Sequence, residues 1–171
     1  MEIKTIQIAW FGPYHFDGPK GALSSNNGGN LPDLGDGKGL YQIYGRHPTY
    51  GRKALLYVGQ TVASFYSRLK SHQDQWLYLL PERCEILLGR ILRTRDNTEP
   101  QAKQIDEAER MLIGFYLPSH NTTGKNDING VKNRMIINYG NCGDLERIVA
   151  TTYYEAEGWQ HEDPREIFFK R

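Results

Sequence analysis

The sequence is poor in the features that mark membrane proteins and disulfide-rich scaffolds. It has only two cysteines, Cys84 and Cys142, in 171 residues, which is too few for a disulfide framework or a cysteine zinc cage. No apolar run approaches the roughly 20 residues that a membrane span needs, and the first residues lack a signal-peptide pattern. We therefore expect a cytoplasmic protein with no membrane partner, in which both cysteines are small buried apolar residues.

The net charge is also small, at +1. Its distribution is uneven: residues 39–134 hold 14 Lys and Arg against 9 Asp and Glu, and residues 144–171 hold 4 against 7. A basic centre with an acidic tail favours one face that meets a polyanion, although chance scatter of charge is the alternative. A hydrophobic content of 39% and a charged content of 24% are typical of a soluble globular domain.

The N-terminal segment predicts one strand and one loop. Residues 3–10 alternate loosely between polar and apolar side chains, which is typical of a strand. The glycines and prolines that follow, from Gly12 to Gly21, are expected to break regular structure. Residues 24–38 are rich in Ser, Asn and Gly and predict a mobile loop, but they lack the spacing of a P-loop, which we exclude.

Two short runs bounded by glycine, residues 39–44 and 54–59, predict a pair of strands, and the turn formers between them predict a loop over 45–52. A helix is predicted over 62–73, with an apolar face formed by Val62, Phe65, Tyr66, Leu69 and Trp76. Arg68 and His72 are four residues apart and therefore lie on one face, at the edge of this stripe. An ordinary amphipathic helix with a solvated basic edge is the alternative interpretation.

The second half of the chain predicts a buried strand over 85–92, where Gly89 indicates a bulge or a close backbone approach, and a helix from about Gln101 to Tyr116. Glu109 falls inside the apolar arc of that helix, whereas Asp106 and Glu107 fall outside its centre and are expected to be surface charges. A carboxylate on a buried stripe must be paired, protonated or bound to a metal. A structural salt bridge and a metal ligand are equally good interpretations of Glu109.

The C-terminal part predicts a short strand over 135–139. Asp144 is a suitable N-cap for a helix to about Thr151, and Pro164 suits the first turn of a last helix that ends at Lys170.

Six positions, in order along residues 39–121, resemble the motifs of the GIY-YIG nuclease superfamily. Gly39-Leu40-Tyr41 is similar to its first motif and Tyr57-Val58-Gly59 to its second, with leucine and valine in place of isoleucine. The basic helix motif, the metal-binding glutamate and a following asparagine correspond to Arg68, His72, Glu109 and Asn121. Each tripeptide alone recurs by chance, but the ordered set is fairly specific.

The resemblance implies an α+β fold, a small three-stranded antiparallel sheet flanked by helices. The catalytic core would span 39–124, with an N-terminal extension of strand and flexible loop over 1–38 and a C-terminal extension over 125–171 packed on the core. It also implies hydrolysis of DNA phosphodiester bonds with one divalent metal, Mg²⁺ or Mn²⁺, as in restriction, homing and repair endonucleases.

The resemblance also implies a role for each site residue. Tyr41 would accept the proton of the attacking water, Tyr57 would orient the water or the phosphate, and Arg68 would bind phosphate oxygens. His72 would hydrogen-bond Tyr41 and relay its proton, Glu109 would hold the metal, and Asn121 would hold the local backbone. The phenol of Tyr41, with an ordinary pKa of about 10, would need its pKa lowered by the metal, by His72 or by Lys53.

The chain departs from the family pattern in two ways. The two motif tyrosines are 16 residues apart, so loop 45–52 is an insert, and Gln60 stands where some members have a lysine. Lys53 is a substitute, because it precedes Tyr57 by four residues and would face the same side of an extended strand. A non-cleaving DNA-binding or regulatory module and a purely structural domain are the alternative functions, and both a monomer and a homodimer stay open.

Overall fold

The computed structural model describes residues 3–16, 23–25, 37–80, 83–93, 99–123 and 127–152. Its strands are β1 (Lys4–Phe16), β2 (Leu23–Ser25), β3 (Gly39–His47), β4 (Gly51–Thr61), β5 (Glu85–Ile91), β6 (Arg134–Gly140) and β7 (Ile148–Ala150). The helices of the described part are α1 (Phe65–Gln75), α2 (Gln101–Tyr116) and two short 3-10 helices, Leu77–Leu79 and Asp127–Gly130. None of the helices described is long and apolar enough to cross a membrane.

The fold-class prediction is wrong, because the strands form a seven-stranded mixed sheet rather than a small three-stranded one flanked by helices. The order is β4-β3-β5-β1-β6-β7, with β2 paired to β1, and the sheet is curled like half a barrel. β1 is antiparallel to β5 and parallel to β6, so it hydrogen-bonds on both edges. The predicted hairpin and third strand are present as β3, β4 and β5, but they form only one half of the sheet.

β1 is longer than predicted. Ile6, Ile8 and Trp10 are buried in alternation with less buried residues, as in a strand with one face on the core. The strand then continues through Gly12 and Pro13 to Phe16, and its register against β5 shifts between Phe11 and Tyr14. An irregularity of this kind absorbs a glycine and a proline without ending the strand. Within the predicted loop 24–38, residues 26–36 lie outside the described part of the chain.

The two helices pack on opposite faces of the sheet. The cross-strand pairs Leu40–Gln60 and Gln42–Val58 direct their side chains to the face covered by α2. The alternate pairs, Tyr41–Gly59 and Ile43–Tyr57, face the core formed with α1. Gly89, where a bulge or a close backbone approach was expected, instead leaves space for a side chain, because a Cβ there would lie 2.7 Å from the ring of Trp10.

The helix predicted over 62–73 begins later, at Phe65, because the hydroxyl of Ser64 accepts a hydrogen bond from the backbone N–H of Ser67 and caps it. As a result Val62 and Tyr66 do not join the apolar face but are 52% and 43% exposed. The buried residues of α1 are instead Phe65, Leu69, His72 and Gln73. The predicted helix over 101–116 is confirmed as α2.

The buried acid of α2 that forms a salt bridge is Glu107, not a surface charge as predicted. Its Oε2 lies 2.6 Å from Nη2 of Arg134 on β6, and Glu99 lies 2.6 Å from Nη1 of the same guanidinium. Glu107 lies outside the apolar arc of the helix, which predicted that it would be exposed. It is buried because Arg134, a buried cation on β6, lies against that side of the helix.

The C-terminal predictions are mixed. The strand predicted over 135–139 is present as β6, but the helix predicted from Asp144 is absent, since residues 148–150 form β7 against β6. The last predicted helix, 164–170, lies outside the described residues. Cys142 is buried as expected, Cys84 is partly buried, and these two described cysteines form no disulfide.

Candidate active site

Tyr41, on β3, is at the centre of a buried polar cluster. Its phenol oxygen lies 2.7 Å from Nε2 of His72 and accepts a hydrogen bond from Nε of Arg68 at 3.3 Å. Both partners come from α1, where their spacing of four residues places them over the same ring. The predicted shared face of Arg68 and His72 is therefore present, and it points at the hydroxyl of Tyr41.

Trp76 determines which nitrogen of His72 carries the proton. Its Nε1 lies 3.0 Å from Nδ1 of His72, and an indole N–H can only donate. Nδ1 must therefore accept, so neutral His72 carries its hydrogen on Nε2 and donates it to the phenol oxygen of Tyr41. This direction is opposite to the predicted relay, in which His72 would take a proton from Tyr41.

The ionisation of the cluster follows from its burial. Burial first, and then the positive charge of Arg68, lower the pKa of His72 to about 4, so the imidazole is neutral at pH 7. Burial and the neighbouring Tyr57 raise the pKa of Tyr41 above its ordinary value, while the charge and hydrogen bond of Arg68 oppose this rise. Arg68 is thus the cation of this cluster that favours a phenolate.

Tyr57 belongs to the same cluster and lies between Tyr41 and Trp76. Its ring stacks on that of Tyr41, with centroids 6.0 Å apart, and contacts the His72 ring at 4.9 Å. Gly59 makes this packing possible, because a Cβ at that position would overlap the phenol oxygen of Tyr41 and lie 2.6 Å from the ring of Tyr57. In this fold, the lack of space for a side chain therefore explains the glycine at position 59 of the second motif.

Glu109 approaches the site from α2, on the other face of the sheet. Its Oε2 accepts a hydrogen bond of 2.8 Å from the side-chain amide of Gln60, the neighbour of Gly59. Burial raises the pKa of Glu109, while the amide of Gln60 and the charge of Arg68 act in the opposite direction. Glu109 also raises the pKa of Tyr41 through its charge, so the carboxylate and the phenol act on each other electrostatically.

The two supporting residues have different positions. Asn121 is buried and pairs with the backbone of Val58, accepting from its N–H at 3.0 Å and donating to its C=O at 2.8 Å. It therefore holds the outer edge of β4, the role expected of it. Lys53 instead forms an ion pair of 2.8 Å with Glu85, near the opposite end of the β3–β4 hairpin from Gly59, so the structure does not bring it to the tyrosines.

Trp76 is a site residue that the sequence does not predict, because its hydrophobic spacing indicates only a place in the apolar stripe. Besides its bond to His72, its ring stacks on that of His120 with centroids 5.0 Å apart. The signal in the sequence was the spacing: residues 68, 72 and 76 follow one another at intervals of four on one side of the helix.

Glu109 would be the one carboxylate of this cluster to hold a divalent cation, whose remaining ligands would be water. Within the described ranges no group of three or more His, Cys, Asp or Glu side chains is close enough to hold a metal. Asp106, whose charge also acts on Glu109, is held by Arg110 at 2.6 Å and is therefore not a second ligand. Mg²⁺ is commonly bound through one or two carboxylates and keeps several waters, which Glu109 alone would satisfy.

A comparison of the chain with protein-family models, with curated proteins and with solved structures found no match.

Proposed function

We propose that this chain is a metal-dependent endonuclease, similar to the GIY-YIG nucleases, that hydrolyses phosphodiester bonds of DNA in the cytoplasm. The observation that carries the proposal is the set of groups around the phenol oxygen of Tyr41. Tyr41 receives N–H donors from both Arg68 and His72, and its charge state is coupled to Glu109. Two donors aimed at one oxygen lower the cost of negative charge on it, which is what a tyrosine needs to take a proton from water.

Arg68 suits the role of phosphate ligand. Its guanidinium is hydrogen-bonded to Tyr41 and Tyr57, and yet Arg68 is an exposed residue of α1 that phosphate can reach. The planar guanidinium offers paired donors that match two phosphate oxygens. Residues 37–73, which include the hairpin and most of α1, contain six Lys and Arg and no Asp or Glu, so this segment attracts a polyanion.

Neutral His72 would donate to the phenolate form of Tyr41, which becomes a phenol when it takes the proton from the attacking water, and Trp76 fixes the orientation of His72. Glu109 would hold Mg²⁺ or Mn²⁺, which would supply positive charge for the phosphate and the leaving oxygen. Tyr57 closes the far side of the Tyr41 ring and keeps bulk water from it. In the buried cluster, each N–H donor has more electrostatic effect than it would in water.

The test is cleavage of supercoiled plasmid by the purified protein with Mg²⁺ or Mn²⁺ and with excess EDTA. We expect cleavage only with metal, and its loss in Glu109→Gln, which keeps a hydrogen-bonding side chain but removes the charge. Asp106→Asn is the matched control on the same helix and should cleave normally, because it loses a partly exposed pair with Arg110 and a negative charge that only disfavours the ionised form of Glu109. Undiminished cleavage in EDTA or by Glu109→Gln would overturn the proposal.

A DNA-binding module without cleavage is the second candidate. The raised pKa of Tyr41 favours it, because a phenol that keeps its proton is a poor base. Tyr41→Phe distinguishes the two functions, since it removes only the hydroxyl. Loss of cleavage with normal DNA affinity supports the enzyme, whereas a wild-type protein that binds DNA and never cleaves it is a binding module.

A further inference from the structure

The tip of the β3–β4 hairpin, residues 46–53, presents an aromatic ring to solvent. Tyr50 is 72% exposed, more than any other large apolar side chain among the described residues. An exposed tyrosine on a turn is commonly mobile and without consequence. Here, however, its ring stacks on that of His47, with centroids 4.5 Å apart and planes 25° apart.

The turn that carries Tyr50 is held by His47. Nδ1 of His47 accepts hydrogen bonds from the backbone N–H groups of Thr49 and Tyr50, each at 3.2 Å, and His47 pairs with Gly51 across the hairpin. The histidine therefore caps the turn and supports one face of the tyrosine ring. A ring that is ordered before binding loses less conformational entropy when a partner stacks on it.

Cationic residues flank Tyr50 along the sequence of the hairpin tip. Arg46, Arg52 and Lys53 are all exposed, and residues 37–73 contain no acid. Lys53 pairs with Glu85 but its side chain remains 60% exposed. An exposed aromatic face among cations is the arrangement that binds an unstacked base while the cations contact neighbouring phosphates.

The distance from the candidate active site sets the position of this contact on DNA. Tyr41 and His47 are six residue steps apart on β3, which is about 20 Å along an extended strand. One nucleotide step of DNA is about 3.4 Å, so DNA that runs along β3 would meet the tip about six nucleotides from the phosphate near Tyr41.

We infer that the hairpin tip is a second nucleic-acid contact, in which Tyr50 stacks on an unpaired base and Arg52 contacts a phosphate. The favoured substrate is then DNA with an unpaired stretch about six nucleotides from the cleaved bond, rather than a uniform duplex. This inference rests on the proposed function, because it takes DNA as the polymer bound at Arg68 and Tyr41.

The test compares two labelled DNAs by fluorescence anisotropy: a fully paired duplex, and the same duplex with a three-nucleotide bulge. Wild type should bind the bulged DNA at least about tenfold more tightly. Tyr50→Ala should lose about ten- to hundredfold in affinity for the bulged DNA and little for the duplex, because stacking on an aromatic ring is made only by an unstacked base. Tyr50→Phe keeps the ring and should bind like wild type.

Tyr139→Ala is the matched control. Tyr139 is also an exposed tyrosine, but it belongs to β6, which β5 and β1 separate from the hairpin, so its loss should leave both affinities unchanged. Arg52→Gln should lower the affinity for both DNAs alike and reduce the salt dependence of binding. Equal affinity of wild type for the two DNAs, or an unchanged affinity in Tyr50→Ala, would overturn the inference.

The two proposals fail in different ways. If wild type binds and cleaves DNA but Tyr50→Ala behaves like wild type, the hairpin inference fails and the proposed function stands. If wild type neither binds nor cleaves either DNA, the proposed function fails, and this inference fails as well.

Discussion

Replacing Trp76 by phenylalanine should release His72 from its single tautomer. The substitution keeps an aromatic ring beside Tyr57 and His120 but removes the N–H that donates to Nδ1 of His72. Without that donor, Nδ1 is free to carry the hydrogen. His72 then turns an acceptor toward Tyr41, and one of the two donors that favour the phenolate is lost.

The size of the effect follows from one hydrogen bond. A bond to the neutral form of a base lowers its pKa, and one buried bond contributes about 0.5–1.5 kcal/mol, which corresponds to about 0.4–1.1 pKa units. The pKa of His72, now about 4, should therefore rise to about 5. It should stay below the ordinary value because burial and Arg68 remain. The free energy of unfolding should fall by about 1–2 kcal/mol.

The assay is a ¹⁵N–¹H NMR titration of the histidine side chains, which reports both the tautomer and the pKa. Trp10→Phe is the matched control, because the indole of Trp10 donates a bond of 2.8 Å to Asn138, away from the site. It should cost stability and leave His72 unchanged. The reasoning is refuted if wild-type His72 carries its hydrogen on Nδ1, or if Trp76→Phe leaves both the tautomer and the pKa as they were.

Three further predictions concern packing, pH and a buried ion pair. Gly59→Ala should displace the ring of Tyr41 and cost about 1–3 kcal/mol in a thermal melt; an unchanged melt would contradict the described overlap. Between pH about 6.5 and about 4 the unfolded chain binds a proton at His72 that the folded protein does not, so the free energy of unfolding should fall by up to about 3 kcal/mol as pH drops. His72→Gln should flatten that part of the curve. Arg134→Met should cost about 3 kcal/mol in urea, because it removes the buried guanidinium from Glu107 and Glu99 and leaves them only exposed lysines as partners, whereas Arg110→Met, which removes a partly exposed pair, should cost under about 1 kcal/mol.

Local patterns in the sequence located most elements. The runs around Tyr41 and Tyr57 predicted two strands, and the period of 3.6 residues predicted α2 with the bounds that the structure has. These signals depend on neighbours within about four residues, which the sequence displays directly. The shared face of Arg68 and His72 was predictable for the same reason.

Partners distant in the chain were not predictable in this way. Nothing near Glu107 indicates that Arg134 will lie against it, and nothing in residues 3–10 indicates that this strand will have a neighbour on each edge. Likewise, the role of Trp76 depends on the direction of its indole N–H, which hydrophobic spacing does not report. The wrong fold class thus arose from pairings of β1 and β6 that no local pattern encodes.

The parallel pairing of β1 with β6 has a consequence for how the protein is made. Trp10 and Asn138, joined by a side-chain hydrogen bond across these strands, are 128 residues apart. At a synthesis rate of about 5–20 residues per second, β1 leaves the ribosome roughly 6–25 s before its parallel partner. β5 can cover one edge of β1 during that interval, but the other edge remains unpaired, and an unpaired strand edge is a site of aggregation. Of the strands described here, β1 is therefore the one that most needs protection in the nascent chain, as by a chaperone that covers its unpaired edge.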